Sequence, residues 1–230
     1  MSIRNFRAIQ RAIVDCDRCP RLRAHCAKVA AERRKQFADQ QYWGRPVPSF
    51  GDPRARMMIV GLAPAAHGAN RTGRMFTGDS SGDWLYEALH RYGFASQARS
   101  VSADDGLELD DCLVSAAVHC APPQNKPTRE EQDTCRHWLH REIDELDPEL
   151  VIVLGRIAWD AWLRLLDERG VDLPSPRPEF AHDRFVEIDR SPLVLQSYHP
   201  SRQNTNTGRL TRRMWHAVFR RARRHLDSLD

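Results

Sequence analysis

Four of the six cysteines in this chain of 230 residues stand at spacings typical of metal ligands. Cys16 and Cys19 form a C-x2-C pair, and Cys120 and Cys135 follow far downstream as C-x14-C. Two thiolates at such a short spacing can turn toward one ion, and a set of four suits either tetrahedral zinc or an iron–sulfur cluster. The spacing does not choose between these metals, and one pair could instead be a coincidence of buried cysteines. The cysteines outside this set are interpreted as small buried side chains: Cys26 and Cys112.

Two loops carry a second group of chemically active residues. The first, residues 61–79, combines glycines with many polar side chains, which allows a ligand to approach the backbone closely. It lacks the Gly-Lys-Ser/Thr ending of a Walker motif, and it also lacks a dinucleotide fingerprint. The second loop, residues 199–211, begins with His199. A histidine in a loop is more often structural than catalytic, but a position at the end of a strand favours a catalytic role.

The elements that must position these residues alternate along the chain. Four short apolar runs predict strands that are buried on both faces: residues 57–62, 113–118, 150–154 and 193–197. Helical patterns predict helices between them: residues 84–92, 129–146 and 158–166. This alternation predicts an α/β fold, a three-layer α/β/α sandwich with a central four-stranded, mostly parallel sheet. In such open sheets ligands bind beyond the carboxyl ends of the strands, where both loops begin.

Further helices are expected toward the two ends of the chain. Their patterns cover residues 3–14, 22–40 and 209–226, with an irregular loop at 43–48. A chain of this length allows one substantial core and is short for two enzyme domains. We therefore expect a single domain over residues 1–230, with the two cysteine pairs brought together in it.

The composition limits the classes of function. The net charge is +4 and the pI is about 8.9, with arginine supplying nearly all the positive charge. Nucleic acid is a plausible partner of such a chain, although an arginine-rich genome would produce the same bias. No apolar run is long enough to span a bilayer, and the N-terminus lacks the apolar region of a secretion signal. We expect a cytoplasmic, nucleoid-associated monomer that does not contact membranes and whose cysteines bind metal rather than form disulfides.

Three segments, taken jointly and in order, carry a family resemblance. They are residues 61–79, residues 120–127 (Cys-Ala-Pro-Pro-Gln-Asn-Lys-Pro) and residues 199–204 (His-Pro-Ser-Arg-Gln-Asn). With the cysteine pairs, they resemble uracil-DNA glycosylase family 5, the iron–sulfur-containing branch of the uracil-DNA glycosylase superfamily. The resemblance implies a four-stranded parallel sheet between helices, and it assigns a [4Fe–4S] cluster to the four paired cysteines.

The resemblance also implies an activity. An enzyme of this family takes part in base excision repair, flips uracil and other deaminated or damaged bases out of DNA, and hydrolyses the N-glycosidic bond. Double-stranded DNA is the expected partner, and single-stranded DNA is a further candidate. Ala63 stands where better-known relatives carry an acidic or amide residue that activates water, as is usual in family 5. The nearest residue for that work is Asp79, and the resemblance indicates the same residue.

Individual residues of the loops have expected roles. Asp79 precedes a helix whose dipole stabilises the ionised carboxylate, and we expect it to orient the attacking water, with an ordinary helix cap as the alternative. We expect His199 to donate a hydrogen bond to uracil O2. Phe76 is expected to stack on the flipped base, with a core phenylalanine as the alternative. Other residues are expected to contact the base or DNA: Gly61, Ala63, His67, Asn70 and Asn125 the base, and Ser201, Arg202 and Asn204 the DNA.

Two other functions fit the same residues. A non-catalytic nucleic-acid-binding protein, stabilised by a metal cluster, would explain Ala63 as a sign of lost activity. A redox sensor would use the cluster itself. Release of free uracil from a defined duplex separates a glycosylase from both.

Overall fold

The structure is a computed structural model that describes residues 3–230. Its helices are α1 (Ile3–Val14), α2 (Pro20–Glu32), α3 (Ala69–Thr72), α4 (Ser80–Arg91), α5 (Arg129–Leu146), α6 (Arg156–Glu168), α7 (Arg202–Asn206) and α8 (Arg212–Asp227). Its strands are β1 (Phe50–Gly51), β2 (Met57–Gly61), β3 (Cys112–Ala116), β4 (Leu150–Leu154), β5 (Arg184–Val186) and β6 (Leu193–Ser197). Within residues 3–230, no helix has both the length and the apolar character needed to cross a membrane.

The strands form one mixed sheet in the order β1-β3-β2-β4-β6-β5. The four central strands run parallel and coincide with the four predicted from the sequence. The expected number of strands is nevertheless wrong, because β1 pairs antiparallel with β3 at one edge and β5 pairs antiparallel with β6 at the other. With two and three residues, these edge strands are too short to show the alternation of apolar and polar side chains that identifies a strand.

Alternate residues of the central strands face two separate cores. In β2, Met57 and Ile59 pack with side chains of α4 and α8 on one face. Met58 and Val60 pack with side chains of α5 and α6 on the other face. A strand that is apolar throughout must be covered on both sides, because successive side chains point in opposite directions. The three-layer α/β/α arrangement expected from the sequence is therefore confirmed.

The helix predicted over residues 22–40 is wrong in its second half. The helix α2 ends at Glu32, the next residue Arg33 has a φ of 48°, and a 3-10 turn follows. That turn places the ring of Phe37 4.0 Å from the guanidinium carbon of Arg71. The contact between distant parts of the chain overrides the helical propensity of the segment.

The other predicted helices are confirmed, with ends that differ by a few residues. The predicted range 129–146 agrees with α5, where Thr128 and Glu131 form a capping box. The helices α3 and α7 were not predicted, because four and five residues show no helical period.

Candidate active site

The carboxyl ends of the parallel strands open into one cleft of about 680 Å³. Residues that follow β2 and β6 line this cleft together, among them Asp79 and His199. The walls also include Ala116 at the end of β3 and Leu154 at the end of β4. The two loops singled out by their sequence therefore converge on one cavity, at the edge of the sheet where open α/β folds bind ligands.

Asp79 is the N-cap of α4 and also faces the cleft. Its Oδ1 accepts hydrogen bonds from the backbone N–H groups of Ser81 (2.9 Å) and Gly82 (3.0 Å). Its Oδ2 lies against Gly68, where a Cβ atom would come within 2.2 Å of that oxygen. The helix cap expected as an alternative is therefore present, but it uses one carboxylate oxygen and leaves the other beside the cleft. Sequence analysis gave Gly68 no role, because its close approach to Asp79 depends on the folded loop.

The charge state of Asp79 reflects two opposing effects. Burial raises the pKa of its carboxyl group, and the nearby Asp83 adds to the rise. The N–H bonds from Gly82 and Ser81 lower the pKa, as a helix N-terminus should, and so does Arg202. The net direction is upward, because the carboxylate loses more hydration than these groups restore. A carboxylate with a raised pKa is a stronger proton acceptor than an exposed aspartate.

His199 lies directly after β6 and is held through its backbone. The side chain of Asn204 donates a hydrogen bond to the His199 carbonyl at 2.8 Å. Gly155 stands close by, since a Cβ atom there would lie 3.4 Å from the His199 Cβ. Burial lowers the pKa of His199 to about 4. The imidazole is therefore neutral at pH 7 and has one N–H to donate.

Phe76 connects the two loops. Its ring packs against His199, with 5.7 Å between the ring centroids and 31° between the planes. The ring also lies over the end of β2, where a Cβ atom on Gly61 would be 3.1 Å from it. The backbone of Phe76 has a φ of 52°, a strained conformation for a bulky residue that recurs at functional sites. Phe76 thus packs against the core and lines the cleft at once.

The residues predicted to read the base divide into two groups. Ala63, His67 and Asn125 line the cleft. The Nδ1 atom of His67 shares a hydrogen bond with the hydroxyl of Tyr42 at 3.1 Å. Asn125 is exposed and has a φ of 57°, which asparagine tolerates better than most residues.

Gly61 and Asn70 form the second group, because neither lines the cleft. Gly61 is buried at the end of β2, against the ring of Phe76. Asn70 is completely buried behind the loop. Its amide nitrogen lies 3.4 Å from the carbonyl oxygens of Cys26 and Ala66. Asn70 therefore joins the loop after β2 to α2, and the structure gives it no contact with the cleft.

The residues predicted to contact DNA form the loop after His199. Ser201 caps α7 by accepting the N–H of Asn204 at 3.3 Å. Arg202 reaches from this loop to the opposite wall, where its Nε donates to the hydroxyl of Ser80 at 3.2 Å. Arg202 thus lies across the cleft beside Asp79, while Ser201 and Asn204 shape the loop.

Two arginines that sequence analysis missed also line the cleft, Arg34 and Arg156. Arg156 begins α6 just after β4, so its position after a predicted strand could have identified it as a residue of the cleft. Arg34 lies in the segment expected to continue α2 as a helix, so its approach to the cleft had no signal in the sequence.

The four paired cysteines line one small cavity on the far side of the loop after β2. Cys19 is the N-cap of α2, and Cys135 lies in the second turn of α5. The backbone N–H of His119 donates to the sulfur of Cys135 at 3.4 Å. Ala63 packs against this cysteine group as well as lining the cleft. The fold therefore brings both pairs together, next to the candidate active site.

The surroundings of these thiols suit an anionic metal–sulfur group. Arg18 and Arg23 line the same cavity. Burial raises the pKa of the Cys135 thiol to about 12, so this sulfur keeps its proton unless a bound cation displaces it. Among residues 3–230, no three His, Cys, Asp or Glu side chains converge on the position of a single metal ion.

Comparisons with known proteins agree with this geometry. A family model of the uracil DNA glycosylase superfamily matches residues 48–223. A type-5 uracil-DNA glycosylase of Mycobacterium bovis is 48% identical over 211 residues, which cover 91% of this chain and 77% of the relative. The type-5 uracil-DNA glycosylase of Thermus thermophilus is 45% identical over 218 residues, 94% of this chain and 96% of the relative. That of Pyrobaculum aerophilum is 46% identical over 210 residues, 91% and 88% of the two chains.

The match covers the sheet, both loops of the cleft and the second cysteine pair, and the aligned relatives share nearly half of their residues with this chain. The chain therefore belongs to the uracil DNA glycosylase superfamily and, within it, to the type-5 uracil-DNA glycosylases.

Proposed function

We propose that this chain is a uracil-DNA glycosylase of base excision repair that acts as a single-domain monomer on a base flipped into the cleft. Its relatives carry the activity in their names, at 45–48% identity over nearly the whole chain. The observation that supports a catalytic site is the shared cavity of Asp79 and His199. One carboxylate can activate water and one neutral imidazole can stabilise the departing base, and these are the two tasks in hydrolysis of an N-glycosidic bond.

DNA binds across the mouth of the cleft in this proposal. A base inside a stacked duplex is out of reach, so the target nucleotide must be extruded at a cost of a few kcal/mol. Arg34, Arg156 and Arg202 line the cleft and can neutralise phosphates on either side of the extruded nucleotide. Arg202 gives up its bond to Ser80 and occupies the gap in the duplex, which supplies part of the extrusion energy.

The flipped base stacks on Phe76, whose fixed ring accepts the face of any base. The neighbouring His199 then faces the edge of that base, because the two rings are in contact. When the glycosidic bond breaks, its electron pair stays on the base and negative charge collects on uracil O2. The N–H of the neutral imidazole donates to this oxygen and stabilises the charge. A neutral donor binds the developing oxyanion without giving away its proton.

Asp79 acts on the sugar side. As the base departs, the sugar develops positive charge at C1′, and the ionised carboxylate stabilises it. Oδ2 orients a water molecule toward C1′ and accepts its proton as the new C–O bond forms. Ala63 has no group for this task, so we assign the activation of water to Asp79, at the end of the same loop. We find no feature of the cleft that favours the non-catalytic or redox-sensing alternative.

The range of bases follows from the lining. Phe76 and the apolar wall of Ala116 and Leu154 recognise shape, and His67 and Asn125 supply the polar groups that can reach a base edge. An amide offers both a donor and an acceptor. We propose that uracil is joined by other deaminated bases as substrates, in double-stranded and in single-stranded DNA.

We further propose that Cys16, Cys19, Cys120 and Cys135 hold a [4Fe–4S] cluster. When bound, the cluster supplies a rigid cross-link between the N-terminal segment and the loop after β3. The cavity that these thiols line and the two arginines beside it support a metal–sulfur group, and the type-5 relatives favour an iron–sulfur cluster over tetrahedral zinc. The cross-link supports Ala63 from behind, and through it the wall of the cleft.

Replacing Asp79 by asparagine tests the catalytic assignment. Asparagine caps helices as well as aspartate does, so Asp79→Asn should fold normally. The single-turnover rate of uracil release should fall by about 10²-fold or more, because the base and the cation-stabilising charge are lost. The matched control is Asp83→Asn, which neutralises an exposed carboxylate in the first turn of the same helix. Full activity of Asp79→Asn would remove Asp79 from the mechanism.

The pH profile separates the two titrating groups. Asp79 must be ionised, so kcat/KM should fall as the pH drops through its pKa, which lies above the usual value of 3.8. His199 is already neutral well below its usual pKa of 6.5, so no inflection is expected there. His199→Gln should lower kcat/KM by about 10²-fold through loss of a well-placed donor, yet leave the acid limb in place. An acid limb that disappears in His199→Gln would assign it to the imidazole instead.

Metal analysis tests the cluster. Proteins with Cys16, Cys19, Cys120 or Cys135 singly changed to serine should lose iron and acid-labile sulfide, because each thiolate would coordinate one iron of the cluster. Cys112→Ala is the control, since this buried cysteine lies in β3, within the core that faces α4 and α8. Wild-type protein that binds stoichiometric zinc and no iron after anaerobic purification would contradict the proposal.

A further inference from the structure

Three buried polar atoms without a hydrogen-bond partner belong to residues that line the cysteine cavity. They are Nη1 of Arg23, Nε2 of His119 and Nε1 of Trp138. Such atoms are rare in folded proteins, because a buried polar group that loses water and gains no partner is destabilising. Three around one small cavity indicate a ligand with polar atoms.

Of the three residues, Trp138 is the one whose donor can reach neither water nor an acceptor among residues 3–230. Arg23 is half-buried and can extend toward water. The Nδ1 of His119 lies 2.8 Å from the carbonyl of Val47, which only accepts, so Nδ1 carries a proton and His119 already donates one hydrogen bond. The indole Nε1–H is a donor in every state, and Trp138 is only 6% exposed.

The side chain of Trp138 lies beside the cysteines and lines the same cavity. It follows Cys135 by three residues on α5, so both side chains lie on the same face of the helix. The indole ring also contacts two neighbours. The centroid of the His137 ring is 4.1 Å away, and the Arg141 guanidinium carbon lies 5.4 Å from the Trp138 centroid.

We propose that the indole N–H of Trp138 donates a hydrogen bond to a sulfur of the iron–sulfur cluster held by the four cysteines. The proposal rests on the presence of that cluster and goes beyond the glycosylase activity. A hydrogen bond to sulfur stabilises the more negative, reduced state of a cluster and so raises its reduction potential. The bond also makes oxidation harder, which protects the cluster in air.

Trp138→Phe tests this role, because phenylalanine keeps an aromatic ring and removes only the donor. The equilibrium constant for cluster reduction should fall by up to about tenfold, which corresponds to about 59 mV for one electron. Loss of iron during exposure to ferricyanide should be several-fold faster, while uracil release by the freshly purified protein stays unchanged. Trp162→Phe is a matched control, since this buried tryptophan also has an unpartnered Nε1 but packs against the sheet, away from the cysteines.

A measurement on the wild-type protein tests the hydrogen bond even if the Trp138→Phe variant does not fold. With tryptophan labelled with ¹⁵N in the indole ring, pulsed EPR of the paramagnetic cluster should show one weakly coupled ¹⁵N nucleus, as expected for a hydrogen-bonded nitrogen that does not bind iron. Protein that contains iron and sulfide but shows no such coupling, or a Trp138→Phe potential equal to wild type, would overturn the hydrogen bond and leave the cluster intact. Protein without iron would overturn the cluster proposal and this one together.

Discussion

The candidate site depends on the parallel register of the central strands. Because β2, β4 and β6 run in the same direction and pair in register, their carboxyl ends stop at one edge of the sheet. The loops that follow β2 and β6 must therefore leave the sheet at the same edge, on either side of β4, although more than a hundred residues separate them in the chain. The contact between Phe76 and His199 is the direct result, and both side chains line the cavity in which a base has to fit.

A second constraint acts on Asp79. A helix N-terminus and burial have opposite effects on the pKa of this carboxylate: two N–H groups lower it by stabilising the charge, and the loss of hydration raises it. Their combination gives a carboxylate that is fixed in position by one oxygen and basic at the other. His199 shows the complementary case, in which burial alone removes the charge and leaves a neutral donor. Burial beside the same cleft thus gives a proton acceptor in the loop after β2 and a neutral donor in the loop after β6.

Much of this arrangement could be predicted from the sequence. The central strands are long apolar runs, and the two cysteine pairs and the polar loops carry local signals. The edge strands could not be predicted, because their pairing depends on neighbours rather than on their own few residues. Nor could the burial of Asn70, which looks like a base-reading side chain in the sequence but bonds to α2 in the fold. Gly68 and Arg34 gain their places only through contacts between distant segments.

The proximity of the cysteine cavity to the cleft gives the fold a second source of rigidity. Ala63 contacts both the cysteine group and the cleft, so the loop that bounds the cleft packs on the cysteine group instead of being exposed to solvent there. This arrangement explains why a small residue is suitable there: a longer side chain would have to enter either the cleft or the cysteine cavity.

In the proposed mechanism, Asp79 and His199 face opposite sides of one glycosidic bond. A crystal structure of the protein bound to duplex DNA that contains an uncleavable 2′-fluoro-deoxyuridine would show this arrangement. We expect uracil to lie on the Phe76 ring, with its O2 within hydrogen-bond distance of the His199 imidazole and the Asp79 carboxylate next to C1′. A flipped uracil held elsewhere, or one with either side chain turned away from the sugar and O2, would contradict it.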